Sequence, residues 1–221
     1  MALSKLTYNS LNVTPTASKG IGFDSGADDL AATFSGGATT FIKKLTASSD
    51  STLSFVNGAS DVVLDGTYKE YLFIFNNIHP ETNSVTFTVN FSDDTSSHSY
   101  DLTKTTSAFA AYHDESDAGT VFAYRAASDL AQGTGVQQVM IGNISSDSDH
   151  GSAGYMRLFN PASTTFVKHF IIKTAASEVD DGIYNGYVAG YINTTAAVTA
   201  VQFACGSGDI DAGTISLYGI N

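Results

Sequence analysis

The residues best able to do chemistry in this chain are carboxylates gathered in turns: FSDDTSS from Phe91, YHDESD from Tyr112, SSDSDHGS from Ser145 and EVDDG from Glu178. Calcium takes six to eight oxygen ligands, and clustered acids can supply them, so Asp93, Asp94, Asp147 and Asp149 are candidates for a structural calcium site. The set Asp147, Asp149, Gly151 fails as an EF-hand loop. Its glycine comes one position early, and Leu158 stands where a bidentate glutamate is needed. The competing reading is a group of solvated Asx-turns.

Other constellations are weaker. The five histidines, at 79, 98, 113, 150 and 169, show no H-x-x-x-H spacing and have no cysteine pair to complete a zinc site. His79 and His169 adjoin apolar runs and are expected to be hydrogen-bonded packing residues. A G-x-S-x-G turn is missing, and GIGFDSG from Gly20 has neither the preceding strand nor the third glycine spacing of a dinucleotide loop. No carboxylate pair is singled out for glycoside hydrolysis, so no residue is assigned as catalytic and no organic cofactor is expected. Cys205, the one cysteine, lies in the alternating run AVTAVQFAC and reads as a small buried hydrophobe. Tyr112, Tyr184 and Tyr187 stand beside acidic or glycine-rich turns and form a candidate binding surface, for sugar stacking or protein contact.

Asp and Glu total 22 against 10 Lys and Arg, a formal net charge of −12 that opposes binding to a nucleic-acid backbone. No run of about 18 apolar residues is present and the N-terminal sequence has no signal-peptide core, so neither membrane insertion nor signal-directed export is expected. Charged residues are only 14% of the chain. Hydroxyls and amides must therefore carry most of its solubility.

The elements that would position these residues are strands. The first forty residues, rich in Gly, Ser, Thr and Ala, read as an irregular N-terminal arm, 1–40, ahead of a single domain, 41–221. Short apolar or alternating runs then follow at 41–47, 51–56, 71–75, 85–91, 121–126, 136–144, 154–159, 165–173, 184–192, 197–204 and 214–220, separated by Gly, Asp, Ser and Asn. One segment, AYRAASDLAQG from Ala123, could hold a helical turn. This pattern predicts an all-β fold, a β-sandwich of jelly-roll type. The dense run Tyr71–Phe75 predicts a strand covered on both faces, and Val85, Phe87, Val89 and Phe91 alternate with Thr86, Thr88 and Asn90 as one dry and one wet face. The turn His79–Asn83 between them predicts a hairpin. The expected core includes Phe73, Phe75, Phe87, Phe91, Phe159, Phe166, Phe170 and Leu217.

Several phrases, LNVTPTASKGIGFDSGADD, DGTYKEYLFIFNNIHPETN, KTTSAFAAYHDESD, SDLAQGTG, RLFNPASTTFVKHF and DAGTISLYGI, together resemble virion structural proteins of tailed bacteriophages of the marine, cyanophage-like kind. The resemblance spans nearly the whole chain. It implies a non-enzymatic component of the virion surface, with a tail- or fibre-associated adhesion role ahead of a capsid decoration role and of a glycan-degrading tail enzyme. It brings no catalytic residue with it. The partners expected are further copies of the chain, a trimer being favoured, other virion proteins and a host surface glycan. The excess of apolar strand positions over what two half-solvated sheets require points to the same oligomer.

Overall fold

The computed structural model describes residues 19–23, 30–35 and 38–220. It divides into two units, 1–40 and 41–221, each taken by itself. In the first, β1 (Lys19–Phe23) and β2 (Leu30–Ser35) pair antiparallel. This corrects the irregular lead-in expected there, because backbone hydrogen bonding can make a strand pair from a glycine-rich segment with no apolar period. Residues 1–18, 24–29, 36 and 37 of the expected arm lie outside the described residues.

The second unit is all-β, and no helix occurs among the described residues. Its strands are β3 (Thr39–Asp50), β4 (Leu53–Val56), β5 (Glu70–Pro80), β6 (Val85–Ser92), β7 (Lys104–Asp114), β8 (Thr120–Tyr124), β9 (Leu130–Gly133), β10 (Gln138–Ile144), β11 (Ser152–Phe159), β12 (Lys168–Glu178), β13 (Gly182–Ile192), β14 (Ala200–Cys205) and β15 (Ile210–Ile220). One layer runs β3-β15-β5-β11-β12-β13-β7, with β8 and β9 sharing the far edge of β7; the other runs β10-β6-β14-β4. A single pair, Ile144↔Glu178, joins them at a corner.

Without β7–β9 and β12–β13, eight strands remain, ordered first-eighth-third-sixth in one sheet and second-seventh-fourth-fifth in the other. This is jelly-roll connectivity. The remaining strands are two insertions, and both extend the same sheet beyond β11.

The connectivity overturns the hairpin expected between β5 and β6. β5 pairs with β15 and β11, whereas β6 pairs with β10 and β14. The turn after Pro80 instead carries the chain from one sheet to the other, and Phe75 meets Phe87 across the sandwich with ring centroids 5.6 Å apart. Phe203 of β14 completes this centre, within 5.3–6.2 Å of the rings of Phe55, Phe73, Phe75 and Phe87. Phe91 and Phe170 make a second contact across the layers at 5.4 Å.

Three further expectations change. Phe159 is only partly buried, and Phe166, in the β11–β12 connection, is 69% exposed. β5 is covered on one face only: Tyr71, Phe73 and Phe75 point inward, but Ile74 is exposed and Leu72 partly so. β6 reverses its expected wet face, since Thr88, Asn90 and Ser92 are all buried. Each is satisfied locally: the Thr88 hydroxyl donates to Ala204 O at 2.9 Å, and Asn90 Oδ1 accepts from Lys104 Nζ at 2.6 Å. The Ser92 hydroxyl donates to Asp94 Oδ2 at 3.1 Å.

Candidate functional site

Two surfaces carry unsatisfied chemistry: a polar cleft at one end of the sandwich and the outer face of the widened sheet. The cleft follows from the antiparallel pairing of β6 with β10. Val85 faces Ile144, so the loop after β10 emerges beside the start of β6, while Asp93 and Asp94 follow its other end. Eight residues of strand at about 3.4 Å each keep the two aspartate pairs roughly 25 Å apart. They cannot share an ion.

At the cleft end, Asp147 and His150 form a tight turn, with His150 N donating to Asp147 O at 2.8 Å. The turn after β12 brings Asp181 beside them, and one potential ligand atom from each of Asp147, His150 and Asp181 lies within 4.8 Å of the others. Asp149 is not part of this set. An imidazole among the donors suits a borderline cation such as zinc better than calcium, which takes oxygen ligands. The adjoining cleft, about 710 Å³, is lined by Asn77, His79, Asp149, His150, Ser152 and Asp211 among others. His79 is held in its wall, Nε2 lying 3.2 Å from Asp147 O and Nδ1 3.5 Å from Asp211 Oδ2.

At the opposite end, Asp94 is used internally. Its Oδ2 accepts from the Ser99 hydroxyl at 2.6 Å and the Ser99 amide at 2.8 Å, and these bonds hold its carboxyl below the usual range. Asp93 Oδ2 accepts from the Thr194 hydroxyl at 3.1 Å. The same use of a carboxylate occurs at Asp114, held low first by the Ala118 amide and assisted by the Ser116 hydroxyl.

The three tyrosines do not form one surface. Tyr112 and Tyr184 face each other on the inward side of β7 and β13, and Tyr184 is buried. Burial pushes the Tyr184 phenol up, with the Arg125 guanidinium, 5.6 Å from its ring centroid, opposing the shift. The Tyr112 ring lies over Gly182, where any side chain would collide with it. These two tyrosines line a smaller cleft with Arg125 and Glu178. Tyr187 alone faces outward. His169 is also exposed, beside Tyr191, so it does not have the packing role expected of it.

Register defines the outer face. Directly opposed residues in antiparallel strands share a side of the sheet, and Ile74, Tyr155, Lys173, Tyr187, Phe109 and Tyr124 are opposed in sequence across six strands. Phe122, 75% exposed, packs against Phe109 at 5.7 Å. Phe109 and Tyr187 are stacked face to face, 4.9 Å apart and 6° from parallel, and Lys173 Nζ lies 5.3 Å from the centroid of the Tyr187 ring. Hydrogen bonding to Tyr187 raises the Lys173 ammonium above its ordinary value. With its ring stacked on Phe109 and its hydroxyl engaged by Lys173, Tyr187 offers a partner an edge, not a sugar-stacking plane.

The sequence reading missed this row because its members come from six separate strands. The signal that could have found it is the apolar residue at outward positions of otherwise alternating strands, such as Ile74 and Phe109. Comparison with protein families, curated proteins and solved structures finds no match for this chain.

Proposed function

We propose that the chain is a non-enzymatic structural component of a bacteriophage virion surface, homo-oligomeric, working by contact in a tail- or fibre-associated adhesion role. The observation that carries this reading is the widened jelly roll, in which two insertions extend one sheet and leave its outer face apolar and aromatic. A domain that acts by contact needs such a face, and exposed apolar surface of this extent marks interaction sites. The resemblance of the YKEYLFIFNNIHP and FNPASTTFVKHF blocks to phage virion proteins supports the same assignment. The host-facing contact is assigned to the polar cleft at the Asp147–Ser152 end, whose hydroxyls, carboxylates and imidazoles suit the hydroxyls of a surface glycan.

Gold-labelled antibody against the purified protein, applied to intact particles of the phage encoding it, tests the assignment. Label at the tail is expected. Label spread over the head would replace adhesion by capsid decoration, and unlabelled particles with no trace of the chain by mass spectrometry would remove the virion reading altogether.

A further inference from the structure

We infer that the aromatic row on the outer face of the widened sheet is the surface through which a second copy of this chain is bound. This rests on the oligomeric part of the reading above and adds the place of contact. The first argument is extent. Seven strands from β15 to β8, about 4.8 Å apart, with three same-face rows about 7 Å apart, give a platform of roughly 30 by 20 Å, or about 600 Å². Standard interfaces take about 600–1,000 Å² from each partner, and the platform reaches the lower end of that range.

The second argument is charge. The chain carries a net −12, so two copies repel over most of their surface. On β5, β11, β12, β13 and β7 the only acidic residues are Glu70, Asp114 and Glu178, and of these only Glu70 faces outward. It is neutralised by Arg157, whose Nε lies 3.0 Å from Glu70 Oε1. His169, Lys173 and Arg157 are on the same face. Asp211 of β15 and Asp129, which accepts from the Tyr124 hydroxyl, mark the margins of the platform, so a second acidic copy meets the least repulsion over its middle, around Lys173.

The third argument is composition and geometry. Tyr, Phe and Arg on a face with few carboxylates match the core of a protein interface. The stacked ring and engaged hydroxyl of Tyr187 disfavour a stacked sugar, whereas upright ring edges can interdigitate with the side chains of another sheet.

Light scattering of the full chain at micromolar concentration, together with Tyr155→Asp/Phe122→Asp, tests the assignment. The wild-type chain is expected to be oligomeric, and the double variant to associate about 100-fold or more weakly while keeping its all-β far-UV spectrum, with a melting temperature lowered only by the lost association. Phe166→Asp, at a ring 69% exposed but outside the strands of the row, is expected to leave association unchanged. A monomeric wild type would overturn both this inference and the oligomeric reading. An oligomer indifferent to the row variants would overturn this inference alone.

A second measurement covers the case in which those variants fail to fold. Tyr155→Cys supplies a thiol on the row, while buried Cys205, pushed up to about 11 by burial, stays unreactive. Protection of Cys at 155 from a thiol reagent at micromolar protein, lost on dilution to nanomolar, supports a second copy. Protection that survives dilution would mean that another part of the same chain covers the row, and would overturn the inference, as would the absence of protection at either concentration.

Discussion

The two layers meet in two unlike ways. Under the original eight strands the contact is aromatic: Phe55, Phe73, Phe75, Phe87 and Phe203 are each 0–2% exposed and touch edge-on or stacked. Under the inserted strands the Phe91–Phe170 ring pair and other buried apolar side chains are joined by a polar seam. Lys104 of β7, 0% exposed, donates to Asn90 Oδ1 at 2.6 Å and Leu102 O at 2.7 Å. The Thr106 hydroxyl donates to Gln138 Oε1 at 2.7 Å, and Gln138 Nε2 donates to Ser128 O and Val139 O, both at 2.7 Å. The Thr174 hydroxyl reaches Met140 O at 3.1 Å. The aromatic centre is held by area, which is insensitive to direction. The polar seam is held by geometry, where every donor removed leaves a buried acceptor stranded.

That difference sets the order of expected effects. The largest is Phe203→Ala, which opens a cavity touching four other rings and is expected to cost about 3–5 kcal/mol. Chemical denaturation measures it, and a loss under about 1 kcal/mol would show that the centre closes over the gap and is packed less tightly than these contacts imply.

Next is the pH dependence of the seam. Burial lowers Lys104 from 10.5 to about 8. Between these values the unfolded chain holds the proton that the folded chain has released, so this group's contribution to stability rises with pH from about 8 to 10.5. The full change is on the order of 3 kcal/mol. Burial acts oppositely on Cys205 and on Tyr71, the latter raised to about 12, because both ionise more readily when unfolded. The clean quantity is therefore the wild-type stability minus that of Lys104→Met at each pH. It is expected to rise between pH 8 and 10, and a flat difference would mean that Lys104 reaches water.

A smaller effect, about 1–3 kcal/mol, is expected from Gln138→Ala, which strands the Thr106 hydroxyl and Ser128 O. The double variant Thr106→Val with Gln138→Leu also strands the Leu130 amide, which donates to the Thr106 hydroxyl at 2.9 Å, and is expected to remain destabilised. A double-mutant cycle without coupling would place the two groups in independent environments.

The smallest effect belongs to the loops. A rise in melting temperature of a degree or two on adding a divalent cation is expected to vanish in Asp147→Asn and to persist in Asp93→Asn, since the two pairs stand at opposite ends. The reverse pattern would move the cation site to the Asp93 end.

The contrast also explains what could be read in advance. The aromatic centre was legible in part because Phe73 and Phe75 stand in a dense apolar run and Phe87 in an alternating one, and both patterns are local properties. The seam was not. β7, KTTSAFAAYHD, is built of small and polar residues with weak strand preference, and no strand was expected there. Its burial comes from lying across β10. Likewise Thr88 and Asn90 alternate as solvent-facing residues should, and it is the lysine of the opposite sheet, together with the Phe91 amide, that makes Asn90 an interior acceptor.

For the candidate site, sequence alone determined the inventory: acidic turns, tyrosines beside them, and apolar residues in excess of two half-covered sheets. It also determined the all-β class, because strand period, turn residues and chain length act over a few neighbours. Tertiary structure decided which strands are partners. It sent β5 and β6 to opposite sheets instead of a hairpin, because each finds longer ladders with distant strands than with the other. It separated Asp93 from Asp147, turned Tyr184 inward and Tyr187 outward, and aligned Ile74, Tyr155, Tyr187 and Phe109 into one row. Each outcome depends on cross-strand register, a relation between residues as far apart as Glu70 and Ile220 that no local pattern encodes.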